Sequence, residues 1–179
     1  MKTTHFDVGA NAVVQLGENL YKNTYGVLIE YITNSYDADA SFVKINIDRI
    51  KGTVTIEDDG VGMTLDELGD NFLKVGNNRR KKYITKTTDK GRLVTGRKGF
   101  GKLACFGLFK SFKVDTYKNN QKSTLIVTSK LNEDDEFEYE ALIDEESTPI
   151  QHSNGTIIYL SENTSEIVDN ESLSESIAK

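Results

Sequence analysis

Glu30-Tyr31-Ile32-Thr33-Asn34-Ser35-Tyr36-Asp37-Ala38 follows an apolar-periodic run and contains neither proline nor glycine, so it reads as helix. A helix turns by about 100° per residue, which places Glu30, Asn34 and Asp37 within an arc of roughly 60°. One stripe therefore carries a carboxylate, an amide and a second carboxylate, while Val27, Ile29, Ile32 and Ala38 are expected to serve the core. Such a stripe can hold a hydrated divalent cation or orient a water molecule. A solvated polar face has the same pattern. What separates the two lies elsewhere in the chain.

Working outward, Val8 to Leu20 has apolar residues at helical spacing and predicts a first helix. Asn23-Thr24 can cap the second, from about Tyr25 to Ala38. Ser41–Asp48 and Thr53–Glu57 alternate as strands around the turn Arg49-Ile50-Lys51-Gly52, giving a hairpin. The second strand runs into Asp58-Asp59-Gly60-Val61-Gly62-Met63, after which Thr64 caps a short helix, Leu65 to Leu73. Gly76 to Arg97 is sparse in apolar residues and reads as a long loop, the kind that is usually either a functional lid or disordered. An apolar helix from Leu103 to Phe109 follows. Strands are expected at Phe112–Tyr117, Ser123–Leu131, Phe137–Ile143 and Gly155–Leu160, with Asn119-Asn120 as a hairpin turn. The order suggests an α+β, two-layer sandwich with helices on one face of a mixed sheet.

The chain has 179 residues and is 37% hydrophobic with 8 Phe and 8 Tyr, which suits one domain with a real core rather than a disordered segment. It holds no run of eighteen apolar residues, and the N-terminus lacks an apolar signal core. The single Cys105, among Leu103, Ala104 and Phe106, is expected as a buried thiol, and the whole pattern points to the cytoplasm with no membrane contact. A net charge of −6 argues against a general nucleic-acid binder. The charge is unevenly spread, however. Arg79 to Lys113 carries twelve Lys/Arg against Asp89 alone, a net of +11, which leaves −17 for the rest. A basic segment in an acidic chain suits an anion, either a phosphate ligand or a nucleic-acid backbone, although a solvated loop accounts for Arg79–Lys82 taken alone.

The glycine-rich stretch Gly96-Arg97-Lys98-Gly99-Phe100-Gly101-Lys102 admits three phosphate readings. As a P-loop it fails at Leu103, where a hydroxyl should follow the lysine. As a dinucleotide fingerprint, Gly99-x-Gly101-x-x-Ala104 lacks both a following parallel unit and an acid about twenty residues on. The third reading takes only the physics: glycines permit close backbone approach, and amides at a helix start bind phosphate. Asp58 is a second fixed point. It ends a strand and enters Gly60-x-Gly62, where a carboxylate can accept a hydrogen bond from an exocyclic amine such as that of adenine and the glycines let a flat ligand approach. An ordinary Asp-Gly turn is the plain alternative.

Together these stretches resemble the GHKL ATPases, the superfamily of gyrase, ninety-kilodalton heat-shock chaperones, sensor histidine kinases and MutL. Glu30-x-x-x-Asn34-Ser35-x-Asp37-Ala38 is similar to their first motif, Asp58-x-Gly60-x-Gly62-Met63-Thr64 to the second and Gly96-x-x-Gly99-x-Gly101 to the third. Gly155-Thr156 before an apolar strand is similar to the fourth, in which a threonine supports the adenine pocket. Order and spacing agree over nearly the whole chain. The ending Asp37-Ala38 and the basic lid resemble the hydrolysing branch more than the histidine kinases, and His5-Phe6-Asp7-Val8-Gly9 resembles the N-terminus of the bacterial MORC-like ATP-binding proteins. The resemblance implies the Bergerat fold, a mixed, mostly antiparallel sheet with a long ATP lid.

It also implies roles. Glu30 is expected as the general base, Asn34 as the ligand of a magnesium ion bridging the phosphates, and Asp37 as a group acting through water near the base. Asp58 is expected to bind the adenine amine, with Gly60, Gly62, Met63 and Thr156 around the ring. The amides of Gly99, Phe100, Gly101, Lys102 and Leu103 are expected to hold the phosphates. Related lids often read Gly-x-Ser-x-Lys, whereas Gly76-Asn77-Asn78-Arg79-Arg80 stands here. Asn78 can still donate a hydrogen bond, and Arg80 carries the charge with another geometry. The function implied is ATP binding and magnesium-dependent hydrolysis in a nucleotide-driven clamp, with ATP/ADP as ligand and an ATP-dependent homodimer. DNA or a protein client is expected through further domains. A protein kinase of the histidine or anti-sigma type and a non-hydrolysing nucleotide sensor are the alternatives. The domain is expected over residues 1–165. Residues 166–179 are expected to begin a linker to a domain that supplies a further lysine, and the chain is read as an N-terminal piece.

Overall fold

The computed structural model describes residues 2–5, 24–72, 87–95, 109–131, 137–145 and 152–162. The elements in chain order are β1 (Lys2–His5), α1 (Thr24–Asp37), β2 (Val43–Asp48), β3 (Thr53–Asp58), α2 (Leu65–Phe72), β4 (Ser111–Lys118), β5 (Gln121–Leu131), β6 (Phe137–Glu145) and β7 (Gly155–Ser161). The strands form one seven-stranded sheet in the order β1-β6-β5-β4-β7-β3-β2. Every described pairing is antiparallel, so the sheet is purer than the mixed one expected from the sequence. The expected helix at Val8–Leu20, that at Leu103–Phe109 except for its last residue, Cys105 and the C-terminal tail lie outside the described residues; Phe109 itself is not helical. No helix among the described residues is long and apolar enough to cross a membrane.

Register explains where the core sits. Ile45, Ile56, Ile158, Val114, Leu125 and Ile143 lie in one rank across the sheet, and Val54, Leu160, Phe112, Val127 and Ala141 in the next. Because side chains alternate along a strand, both ranks point to one face. There they join Val27 and Tyr31 of α1 and Leu68 of α2 in a single cluster. The third rank on that face changes character: Asp58, Thr156, Thr116 and Ser123 stand side by side at one end of the sheet. The helices thus cover two apolar ranks, and the end of the sheet presents a polar one.

Helix α1 buries only part of the face expected of it: Val27 is fully buried and Ala38 partly so, but the two isoleucines are not. Ile29 and Ile32 are 46% and 41% exposed, whereas Tyr31 is 1% exposed. Val27, Tyr31 and Ser35 recur at i, i+4 and i+8 and form the buried row. The stripe of Glu30, Asn34 and Asp37 runs along its flank. The helix ends with Asp39 at φ +60°. Asp39 N–H donates to Tyr36 O at 3.1 Å and Ala40 N–H to Ser35 O at 3.0 Å, the double bond pattern of a Schellman cap.

The other local expectations follow from ordinary turn chemistry. Asn119 and Asn120 both have positive φ, the geometry of a two-residue hairpin matched to strand twist. Asp48 Oδ1 accepts the Ile50 and Lys51 amides at 3.0 and 3.1 Å, closing the β2–β3 turn. Thr64 and Glu67 form a reciprocal capping box on α2: Thr64 N–H donates to Glu67 Oε2 at 2.9 Å and Glu67 N–H to Thr64 Oγ1 at 3.3 Å. Lys118 Nζ completes the arrangement at 2.8 Å from Glu67 Oε2. Burial pushes the Glu67 carboxyl up, but Lys118 and Thr64 outweigh it and hold it below the usual range.

Candidate functional site

The polar rank, the stripe of α1 and the loop after β3 converge at one end of the sheet. Ser35 joins them. Its Oγ donates to Asp58 Oδ2 at 2.8 Å, with Tyr31 O at 3.1 Å as the alternative acceptor. Asp58 Oδ1 accepts the Gly60 amide at 2.9 Å. Burial pushes the Asp58 carboxyl above its ordinary value. The Gly60 amide, the Ser35 hydroxyl and the Thr156 backbone oppose the shift, while the neighbouring charge of Asp59 adds to it. A partly buried carboxylate with only neutral donors around it is the arrangement expected of an acceptor for a ligand's donor group.

Asp59, one residue on, does other work. Its Oδ1 accepts the amides of Ser41 and Phe42 at 2.6 and 3.0 Å. Chiefly the Phe42 amide, then that of Ser41, lowers its pKa against the cost of burial. Asp58 therefore faces the site while Asp59 anchors the entry to β2. Val61 N–H donates to Ala38 O at 2.9 Å, tying the glycine loop to the end of α1.

The glycines of that loop serve chain packing first. A Cβ on Gly60 would stand 2.8 Å from Ala38 O and 2.9 Å from Ala38 Cβ. Gly62 has φ +65°, and a Cβ there would collide with Tyr117 O. The expectation that Gly60 and Gly62 are small to admit a flat ligand thus acquires a different physical reason: they admit α1 and β4. Met63 packs against the core cluster, and its amide donates to Thr116 Oγ1 at 2.9 Å. Thr116 Oγ1 lies 3.2 Å from Gly155 O and 3.3 Å from Thr156 Oγ1, so the buried threonine links the loop to β7.

Of the residues singled out in the sequence, Asp58, Gly60, Gly62, Met63 and Thr156 come together at the sheet end. Glu30, Asn34 and Asp37 line the adjoining edge of α1, all three partly buried. Asp37 Oδ1 accepts both the amide and the hydroxyl of Thr95 at 2.9 Å. Asn78, Arg80, Gly99, Phe100, Gly101, Lys102 and Leu103 lie outside the described residues. Part of the basic surplus between Arg79 and Lys113 is answered within the chain: Arg92 lies 3.8 Å from Asp39, and Lys113 lies 3.5 Å from Asp115.

Two residues with no role assigned from the sequence hold the site together, Ser35 and Thr116. Both left a signal, since each is a hydroxyl in phase with buried apolar neighbours, Val27 and Tyr31 for the first, Phe112 and Val114 for the second. A polar group at a core position must find a partner.

Among the described residues no group of three His, Cys, Asp or Glu is placed to hold a metal ion. Asn34, partly buried on the edge of α1, offers an amide oxygen, a donor of the oxygen class that magnesium takes. Magnesium at phosphate sites takes most of its ligands from phosphate and water.

The sequence pattern of the "Histidine kinase-, DNA gyrase B-, and HSP90-like ATPase" family matches residues 21–157. Two relatives align over parts of the chain. A protein of Herpetosiphon aurantiacus named putative type II restriction enzyme HgiDII is 34% identical over 117 residues, covering 65% of this chain and 18% of that protein. The mitochondrial TNF receptor-associated protein 1 homolog of Dictyostelium discoideum is 30% identical over 123 residues, covering 56% of this chain and 17% of that protein. The aligned part thus spans less than a fifth of either relative.

Proposed function

Because the chain belongs to the family of histidine kinase-, DNA gyrase B- and HSP90-like ATPases, we propose that it binds ATP at the end of the sheet and hydrolyses it there. The observation that best supports this reading is the hydrogen bond to Asp58 from Ser35, which lies on the buried row of α1 flanked by the stripe. Asp58 receives the amine of adenine, with Met63 against the ring and Thr156 beneath it. Asn34 and Glu30, further along α1, then lie toward the phosphates.

Phosphoryl transfer to water depends mainly on positioning and charge neutralisation. Glu30 orients the attacking water and takes its proton. Asp37 acts through water beside it. Magnesium, when bound through Asn34, supplies neutralisation of charge on the phosphate oxygens. The amides of Gly99 to Leu103 and the Lys102 ammonium hold the phosphate end from the lid side, with Asn78 and Arg80 as further lid contacts. The domain spans residues 1–165, and 166–179 stand apart from it as a polar tail.

In the whole protein ATP would pair two such domains and hydrolysis would release them. The name of the Herpetosiphon relative fits a protein in which this cycle drives a DNA-acting part. The nearest resemblance, to MORC-like proteins, is supported by the N-terminal reading of His5-Phe6-Asp7-Val8-Gly9 alone.

Calorimetric titration of the chain with ATP in the presence of magnesium tests the binding, and Asp58→Asn should weaken it more than about tenfold. A wild-type chain that takes up no ATP rejects the reading. For the chemistry, phosphate release by the whole protein should fall by about a hundredfold or more in Glu30→Ala with ATP binding retained. Unchanged turnover rejects Glu30 as the base.

A further inference from the structure

Residues 87–95 belong to the basic, glycine-broken stretch that reads in the sequence as one long loop, yet they form a bridged turn docked on the end of α1. Thr87 and Leu93 make an antiparallel bridge, Thr88 N–H donates to Arg92 O at 2.8 Å, and Gly91 N–H donates to Thr88 O at 2.9 Å. Asp39 is the hub of the docking. It accepts the Thr88 hydroxyl on Oδ1 at 2.5 Å and the Lys90 amide on Oδ2 at 3.1 Å. The two cations reach the backbone of the same corner: Lys90 Nζ donates to Asp39 O at 2.7 Å, and Arg92 Nη1 donates to Ala40 O at 2.8 Å and Tyr36 O at 3.3 Å. The Arg92 guanidinium also lies 4.9 Å from the centroid of the Tyr36 ring.

Asp39 occupies the left-handed position of a Schellman cap, where glycine is the least strained residue. An aspartate there brings a carboxylate to a point that the turn can grip. Burial pushes its carboxyl up, but the Thr88 hydroxyl, the Lys90 amide and the charges of Arg92 and Lys90 outweigh that and hold it below the usual range.

The other end of the docked turn reaches the candidate site. Thr95 follows Leu93 by two residues, and its amide and hydroxyl both bond Asp37 Oδ1. We propose that Asp39, Lys90 and Arg92 form a latch that positions Asp37, holding the turn against the corner so that Thr95 fixes the carboxylate on the stripe it shares with Glu30 and Asn34. The proposal rests on the ATP reading of that stripe. It divides the site into an adenine end, governed by Asp58, and a phosphate end, governed by the latch.

The test combines hydrogen exchange in the nucleotide-free chain with titrations by adenosine and by magnesium-ATP. Arg92→Ala should speed exchange at the Lys90 and Thr95 amides. It should also weaken magnesium-ATP about tenfold, as loss of an orienting partner does at metal sites, with adenosine affinity unchanged. Arg92→Lys should restore only part, since an ammonium cannot span two carbonyls and a ring. Thr95→Val, at an exposed position where folding is not at stake, should reproduce the loss of magnesium-ATP affinity with Lys90 exchange unchanged. Unaltered Thr95 exchange in Arg92→Ala, equal weakening of both ligands, or unaltered magnesium-ATP affinity in Thr95→Val overturns the latch alone. A wild-type chain that binds neither ligand overturns the nucleotide reading and the latch's positioning role with it.

Discussion

Adjacent aspartates at the end of β3 show how little of a residue's role is carried by its type. Asp58 is raised by burial, and Asp59 is lowered by two amides. The sign for Asp58 gives a prediction. A carboxyl whose folded-state value exceeds its unfolded value costs stability, fully so above the folded value, and the cost vanishes as pH falls below the unfolded value. Asp58→Asn keeps an acceptor for the Gly60 amide and removes the charge. Its melting temperature should therefore equal or exceed wild type at neutral pH, with the advantage shrinking as pH falls through the folded-state value of Asp58. Thermal scans across that range check this; an advantage that grows on acidification is the contrary result. Thr116→Val tests the opposite kind of polar residue. It removes the Thr116 hydroxyl that bonds the Met63 amide and the Gly155 carbonyl and should cost about 1–3 kcal/mol, read as a fall of about 2–4 °C in melting temperature per kcal/mol.

At the scale of elements, the sequence displayed what local chemistry controls and concealed what packing controls. The Asn119-Asn120 turn, the Thr64 cap and the strand ending at Asp58 are legible because each depends on a few adjacent residues. Helix α1 is apolar on more than one side, so periodicity admitted Ile29 and Ile32 as readily as Tyr31. Only the sheet beneath decides that the row through Val27, Tyr31 and Ser35 is the buried one. Strand β1 was not expected, because Lys2-Thr3-Thr4-His5 has no apolar alternation. Its backbone pairs with β6 at the sheet edge, a contact no local pattern announces. The glycine-rich phosphate stretch is read from the sequence alone, since its position falls outside the described residues. For α2, Thr64→Ala should cost about 1 kcal/mol through loss of the cap, measurable by chemical denaturation. A null effect would mean that Lys118 and Glu67 hold the helix start unaided.

At the scale of the molecule, binding and folding are linked. A ligand at a hundredfold excess over its dissociation constant adds about 2.7 kcal/mol to stability. Saturating magnesium-ATP should raise the melting temperature by roughly 5–10 °C, and Asp58→Asn, weakening binding about tenfold, should remove about half of that rise or more at the same ATP concentration. The strand order has a consequence of another kind. The β2–β3 hairpin and the β4–β5–β6 meander have no direct pairing with each other; β7 lies between them and pairs with both. Gly155–Ser161 is thus the keystone of the sheet, and it is the last of the seven described strands in the chain, so it leaves the ribosome after the other six. Until it inserts, Asp58 faces no Thr156, and Thr116 has no Gly155 carbonyl to bond. The polar end of the sheet is therefore complete only once β7 lies between the hairpin and the meander, paired with both.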